Sequence, residues 1–236
     1  MTNILRDGFE EMNIYYNEEI LEKFSIYKRL LKEWNKKMNI TAITDDKEID
    51  IKHFLDSSAI LNSNIIKYDD RIIDIGTGGG FPGVPIKILL PETKITLFDS
   101  LKKRLKFLDL VIEELDLKNI ETVHGRAEEF GRKNDYRETY DIAVSRAVAS
   151  LNTLSEYCLP FVKKEGYFIA MKGPDASDEL KNAQNAIKKL GGNVEKIQDI
   201  HIPFSELDHK IIAIKKIRNT PKQYPRGGGN PKKKPL

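Results

Sequence analysis

Between residues 17 and 37 the apolar positions Ile20, Phe24, Tyr27, Leu31 and Trp34 recur at intervals of four and three, which places them on one face of a helix. Asp45 or Asp46 offers an N-cap for a second helix. Residues 1–65 therefore read as a helical N-terminal extension packed on the remainder of the chain. From Arg71 the pattern changes: short apolar runs at residues 72–75, 95–98, 120–123, 142–144, 167–171, 194–200 and 211–217 alternate with amphipathic stretches. Uninterrupted Ile/Val/Leu runs suit strands covered on both faces, and their alternation with helices implies parallel strands under right-handed crossovers. Leu101, Leu105, Leu108, Ile112 and Leu115 form one intervening stripe, and Leu180, Ala183, Ile187 and Leu190 form another that stops at Gly191-Gly192. The link over residues 203–209 is too short for a crossover helix, so the last two strands should pair antiparallel. Residues 66–217 thus predict an α/β domain on a mostly parallel sheet of seven strands with one antiparallel hairpin. Residues 218–236, with four prolines and Gly227-Gly228-Gly229, read as an extended or mobile tail, the competing reading being a tail folded back with Tyr224 and the prolines packed on the body.

Charge changes this picture more than composition does. With 236 residues, 40% of them hydrophobic and 32% charged, the chain has the make-up of a soluble domain, and no apolar run approaches the ~20 residues that span a membrane. The N-terminus lacks the basic-then-apolar order of a secretion signal, and the single Cys158 suits a reducing compartment, so a cytoplasmic location is expected, with Cys158 as a small core residue. The net charge of +3 is unevenly spread: Lys215, Lys216, Arg218, Lys222, Arg226, Lys232, Lys233 and Lys234 give the last 22 residues +8 with no acid, leaving −5 for the rest. A mildly acidic body with a basic tail points to a polyanionic partner near the C-terminus.

Candidate chemistry gathers at the strand ends. Asp74-Ile75-Gly76-Thr77-Gly78-Gly79-Gly80-Phe81-Pro82-Gly83 is a strand running into a glycine-rich turn before a helix, where the backbone must turn sharply and approach a ligand closely. Two registers fit. Gly78, Gly80 and Gly83 satisfy a dinucleotide pattern, whereas Gly76, Gly78 and Gly80 directly after an acidic strand end resemble the cofactor loop of methyltransferases; the second is favoured because it leaves no residues unexplained between strand and turn. Asp99, at the end of the next strand, can accept hydrogen bonds from the ribose hydroxyls of an adenosine cofactor in either register. The segment 125–130, containing Ala127 and Glu128, lies where the adenine edge would be held. Arg146 and Lys172 end the fourth and fifth strands on the same rim, as candidates for holding phosphate or base. No Asn/Asp-Pro-Pro-aromatic segment follows the fourth strand and Cys158 lies in no nucleophile motif, so exocyclic amines and pyrimidine C5 are poor acceptors. A ring nitrogen such as guanine N7 presents a lone pair and requires no general base. His53, His124, His201 and His209 lack ligand spacing, and no metal is expected.

Several segments together resemble the bacterial 16S ribosomal RNA guanine-N7 methyltransferases, the glucose-inhibited division protein B family. They are Asn39-Ile40-Thr41-Ala42-Ile43, His53-Phe54-Leu55-Asp56-Ser57, the 74–83 loop, Leu97-Phe98-Asp99-Ser100 with Lys103-Arg104, Arg126-Ala127-Glu128-Glu129-Phe130 and Ser145-Arg146-Ala147. The tail Thr220-Pro221-x-x-Tyr224-Pro225-Arg226 followed by Gly229-x-Pro231 is the most specific. Gly79 stands where some relatives carry proline, a departure the turn should tolerate. The resemblance implies a Rossmann-like class I methyltransferase fold, S-adenosyl-L-methionine as cofactor with contacts at Gly76, Phe81, Ala127, Glu128 and Arg146, and a guanine N7 in 16S RNA near the decoding centre as acceptor. Gly78 and Asp99 join the expected cofactor site, and Arg146, Lys172 and Arg226 the expected RNA site. The expected partner is 16S RNA, a 30S subunit or an assembly intermediate, met by a monomer. Two other functions fit the residues less well: an NAD-dependent oxidoreductase, and a catalytically silent RNA-binding ribosome-assembly factor.

Overall fold

The computed structural model describes residues 3–146, 148–173, 176–206 and 208–236. Two helices open the chain, α1 (Ile4–Glu11) and α2 (Glu18–Asn35), each capped by an asparagine side chain, Asn3 and Asn17. Asp45 then caps α3 (Asp46–Ile49), which runs through a π-helical stretch, Asp50–Leu55, into α4 (Asp56–Ser58). Beyond these lie β1 (Arg71–Ile75), α5 (Gly83–Leu89), β2 (Lys94–Asp99), α6 (Lys102–Glu114), β3 (Ile120–His124), α7 (Ala127–Phe130) and β4 (Tyr140–Arg146). The chain closes with α8 (Leu151–Cys158), β5 (Val162–Lys172), α9 (Ala176–Lys189), β6 (Gly192–His201), β7 (Asp208–Lys216) and α10 (Asn230–Lys233).

The seven strands form one sheet in the order β3-β2-β1-β4-β5-β7-β6. Only β7 is reversed, pairing antiparallel with β5 and β6, so the short link between the last two strands does return the chain as a hairpin. Order reverses between β1 and β4, and the carboxyl ends of neighbouring strands diverge there into a crevice. Ile20, Phe24, Tyr27 and Leu31 are buried, and the core of the N-terminal helices continues without a break into Phe81, Val84, Phe107 and Leu108 beside the sheet. Tyr27 stacks on Phe81 with ring centroids 5.6 Å apart, so α2 supports the turn after β1. A second core on the other sheet face takes in Cys158 and the buried stripe Leu180, Ala183, Ile187 and Leu190. Leu101 departs from its expected stripe: it precedes α6, its backbone amide is held by Asp99 Oδ1 at 2.8 Å, and the side chain is exposed. Among the described residues no helix is long and apolar enough to cross a membrane.

The tail differs most from its expected form. It folds back on the body. Arg137 donates to the carbonyls of Thr220 and Tyr224 at 2.6 and 2.9 Å, and Arg132 Nε to that of Pro225 at 2.8 Å. Tyr224 and Pro231 are buried, and Thr153 Oγ1 donates to the Pro231 carbonyl at 3.1 Å. The prolines that suggest mobility bring no backbone N–H groups to satisfy, and arginine side chains bind the carbonyls of Thr220, Tyr224 and Pro225.

Candidate active site

After Ile75 the chain turns through Gly76, Gly78 and Gly80 with φ of +75°, +61° and +101°, a region that side chains other than glycine rarely adopt. A Cβ on Gly80 would approach the Tyr27 hydroxyl to 2.5 Å, whereas one on Gly78 would meet nothing nearer than 3.9 Å, because Gly78 borders an open cleft. The cleft, of about 740 Å³, occupies the crevice between β1 and β4. Behind it lies the fully buried Asp74, whose Oδ2 accepts from Thr77 Oγ1 at 2.7 Å and from the Gly83 amide at 2.9 Å. Burial raises its pKa to about 6 against the pull of those two hydrogen bonds, and Oδ1 has no partner among the described residues.

Asp99 closes β2 with its side chain buried in the cleft wall, Oδ2 accepting from the Gly78 amide at 3.0 Å and more weakly from Arg104 at 3.4 Å. One carboxylate therefore ties the second strand end to the glycine turn. Ala127 and Glu128 begin α7 on the third side, and Tyr157 of α8 faces them. Gly76, Gly78, Phe81, Asp99, Ala127, Glu128 and Arg146, chosen from sequence, all line this one cleft. A bare glycine backbone, a carboxylate for ribose hydroxyls and the apolar surfaces of Ile75, Phe98 and Ala127 fit an adenosine-bearing cofactor in size and chemistry.

Arg146 stands at the end of β4, where this cleft meets a second cavity of about 560 Å³; both are lined by His53, Arg146, Val148 and Ala149. Its guanidinium donates to Asp56 Oδ2 at 2.5 Å and to the Lys52 carbonyl at 3.0 Å, and lies 5.1 Å from the centre of the Phe81 ring. His53 stacks on Phe81 with ring centroids 4.5 Å apart, its Nδ1 lies 3.3 Å from Arg146 Nη2, and its Nε2 is 2.7 Å from Thr41 Oγ1. Burial and the Arg146 charge lower the His53 pKa to about 4. His209 Nδ1 meets Asp56 Oδ1 at 2.5 Å. Burial pushes the Asp56 carboxyl up, but the His209 hydrogen bond and the Arg146 charge outweigh it and leave the pKa below the ordinary value. Ala147, between Arg146 and this shared wall, lies outside the described residues.

The family model described as GidB, rRNA small subunit methyltransferase G, matches residues 20–209. A ribosomal RNA small subunit methyltransferase G of Alkaliphilus metalliredigens is 51% identical over 99% of this chain and 98% of its own length. Its counterpart in Acetivibrio thermocellus is 54% identical over 100% of this chain and 97% of its own. The chain belongs to the rRNA small subunit methyltransferase G family. Among solved structures, Aeropyrum pernix fibrillarin with natively bound S-adenosyl-L-methionine superposes with a TM-score of 0.52 at 17% identity, over 67% of this chain and 73% of that one. Thermus thermophilus TrmN gives a TM-score of 0.54 at 15% identity, over 68% of this chain and 48% of that one. At such identities the likeness establishes the class I methyltransferase fold. As a member of a methyltransferase family the chain uses S-adenosylmethionine, which supplies an electrophilic methyl group on a sulfonium, and the cradle around Gly78 and Asp99 would hold it. Family membership also decides the register of the glycine loop. Gly83, which the dinucleotide register needs, sits in the first turn of α5, where a Cβ would meet Leu97 at 2.5 Å and Asp74 at 2.8 Å rather than the cleft.

The three residues expected to meet RNA part company within this methyltransferase. Arg146 is at the junction of the two cavities, and Lys172 lines the second, with Nζ 2.7 Å from Glu179 Oε2. Arg226 lines neither cavity: it is clamped on the buried Glu156, Nε and Nη2 donating at 2.9 and 2.7 Å. Its guanidinium is therefore committed to holding the tail. The tail does reach the cofactor cleft, through Gly229, Lys232 and Lys233 at its lip. Sequence reasoning gave no role to His53, Asp56, His209 or Glu179. His53 and Asp56 fall within the 53–57 segment that carries the family resemblance, which marked them without assigning a role; His209 and Glu179 arrive from elements far along the chain.

Proposed function

We propose that this chain transfers the methyl group of S-adenosylmethionine to N7 of a guanine in the 16S RNA of the small ribosomal subunit, in the loop near the decoding centre. Full-length identity of about half to ribosomal RNA small subunit methyltransferases supports RNA of that subunit as substrate. The observation that carries the choice of a ring nitrogen is the state of the ionisable groups where the cavities meet. Both Asp56 oxygens and both His53 nitrogens already have partners, and His53 is a weak base. An acceptor that loses no proton suits such a site, and catalysis then rests on alignment of the two reactants. Residues 1–65 brace the glycine turn, 66–217 form the catalytic domain and 218–236 flank the cleft, in a monomer acting in the cytoplasm.

The test is mass spectrometry of 16S RNA from cells with and without this chain. A 7-methylguanine that disappears with the chain, and is restored by purified protein and S-adenosylmethionine with release of S-adenosylhomocysteine, is the expected result. An unchanged 7-methylguanine inventory overturns the proposal, and restored ribosome assembly without S-adenosylhomocysteine would favour a silent assembly factor. Single-turnover transfer should be nearly flat from about pH 7 to 9, since no proton leaves the acceptor.

A further inference from the structure

We propose that the ion pair of Lys172 and Glu179 reads the Watson–Crick edge of the acceptor base and thereby confines methyl transfer to guanine. This rests on the reading of the second cavity as the acceptor's side of the site. N7 is a ring nitrogen of both purines, so reactivity at N7 does not by itself separate guanine from adenine. Discrimination has to come from the groups that differ between the two bases, at C6, N1 and C2.

The second cavity is placed for that. Its shared wall, His53, Arg146, Val148 and Ala149, faces the cofactor cleft, while Lys172 and Glu179 belong to the strand end and helix beyond. In a purine, N7 and the C6 substituent lie side by side on one edge, and the Watson–Crick edge continues from that substituent round the six-membered ring to N1 and C2, away from N7. A base with N7 turned toward the cofactor keeps O6 at the side of the cavity and turns N1 and N2 toward β5 and α9. Guanine presents O6, an acceptor, followed by the donors N1–H and N2–H.

Lys172 and Glu179 form the complementary order, a donor followed by an acceptor. The Lys172 side chain is buried, with Nζ donating to the Ala149 carbonyl at 2.6 Å and paired with Glu179 Oε2 2.7 Å away. An ammonium has three N–H donors, so one is left for O6. Glu179 Oε2 also accepts from the Leu151 amide at 2.8 Å, which fixes the side chain at the start of α8. Glu179 Oε1 accepts nothing among the described residues, and 33% of the side chain is open. The only other carboxylate lining this cavity among the described residues is Asp56, whose two oxygens are held by Arg146 and His209 at 2.5 Å each. Adenine would set its N6–H donor against the ammonium and its N1 acceptor against the carboxylate. A site built to hydrogen-bond one edge rejects the analogue that cannot pair, because its own buried groups are left unmatched.

The experiment is single-turnover methyl transfer into small subunits reconstituted from 16S RNA carrying guanine, inosine or adenine at the modified position. Inosine keeps O6, N1–H and N7 and lacks only the N2 amine. Wild-type protein should methylate inosine about 10- to 100-fold more slowly than guanine, and adenine not measurably. Glu179→Gln should slow transfer to guanine about 100-fold and bring the guanine-to-inosine ratio within about threefold, with calorimetric S-adenosylmethionine affinity unchanged. Collapse of that ratio separates base reading from a merely structural ion pair, which would slow both substrates alike. Equal wild-type rates on guanine and inosine overturn the proposal whether or not the variant folds, as does a Glu179→Gln protein that keeps the wild-type ratio. No wild-type transfer to guanine at all would instead overturn the methyl-transfer reading on which this one rests.

Discussion

Arg146 and Arg226 are the same residue type in what look, at first, like equivalent stations: each donates to a carboxylate that is almost wholly buried, Asp56 and Glu156 respectively. The surroundings of each pair separate them. Around Arg146 are two cavities, a stacked imidazole and an aromatic face, so its charge borders space that a substrate can occupy. Around Arg226 there is packed protein, the Lys234 carbonyl at 2.9 Å and the docked tail. A buried ion pair contributes little when compared with an apolar replacement, but removing one partner leaves the other charge uncompensated. The first station therefore places a cation beside a cleft, and the second fastens a segment that the sequence marks only as basic.

The largest effect should come from breaking the second station. Arg226→Ala leaves Glu156 buried without its partner, and should cost about 3–5 kcal/mol, or roughly 6–20 °C in Tm for a chain of this size. Truncation after Ile217 should be at least as damaging. Arg146→Ala should instead abolish most methyl transfer with a smaller loss of Tm, because Asp56 keeps His209. Differential scanning fluorimetry beside a transfer assay checks both, and equal Tm losses in the two variants would erase the distinction.

Titration separates the same regions by pH. His53 binds protons less readily folded, with a pKa of about 4, than unfolded, near 6.5, so its contribution to stability is lost as pH falls from 6.5 to 4. Asp74 runs the other way: its folded pKa of about 6 lies above 3.8, so the folded state binds the extra proton and stability falls as pH rises from 3.8 to 6. Each is worth about 3 kcal/mol over its window. The two oppose each other, so their contributions should largely cancel between about pH 4 and 6. His53→Gln should then lose stability on going from pH 4 to 6, and Asp74→Asn should gain it. The tail side carries a different signature in Lys216, buried against the Leu159 carbonyl and Glu138, whose pKa burial lowers to about 8. Below pH 8 its burial opposes folding in full, and stability should rise between pH 8 and 10.5, a rise absent in Lys216→Met. Urea midpoints across pH read all three.

A smaller effect is expected at the cofactor. Asp99→Ala should weaken S-adenosylmethionine binding by about 1.5–3 kcal/mol, the worth of hydrogen bonds to a charged acceptor. Unchanged calorimetric affinity in a folded Asp99→Ala protein would remove the carboxylate from the site.

The two stations also differ in how far they could be read from the chain. The glycine turn, Asp99 and the end of β4 are local: a strand end followed by glycines, or by an acid at the next strand end, leaves a pattern within a few residues. The seven strands and the antiparallel hairpin followed from the same runs, whereas the order of the strands in the sheet did not. Asp56 and His209 meet across 153 positions, and no spacing marks that contact. The tail misled for a related reason. Proline, glycine and lysine describe it as mobile, yet Arg132, Arg137, Glu138 and Glu156, which hold it, sit in segments that look like solvated surface.

The smallest predicted effect concerns the charges that the dock leaves free. Of the eight C-terminal cations, Lys216 is buried and Arg226 is clamped, whereas Lys222, Lys232, Lys233 and Lys234 are exposed. Lys232 and Lys233 line the same cleft as Arg146, so RNA brought to Arg146 as proposed would pass close to them. Each cation that meets a phosphate releases a counterion, and the slope of log K against log salt changes by about 0.7–0.9 per contact. Lys232→Ala with Lys233→Ala should make that slope shallower by about 1.4–1.8 for a 16S RNA fragment. Because neither ammonium has a carboxylate partner among the described residues, Tm should not move. A double variant with a wild-type salt slope would mean that the tail ends as a wall of the cofactor cleft and makes no contact with RNA, and a lowered Tm would mean that these lysines belong to the dock beside Arg226.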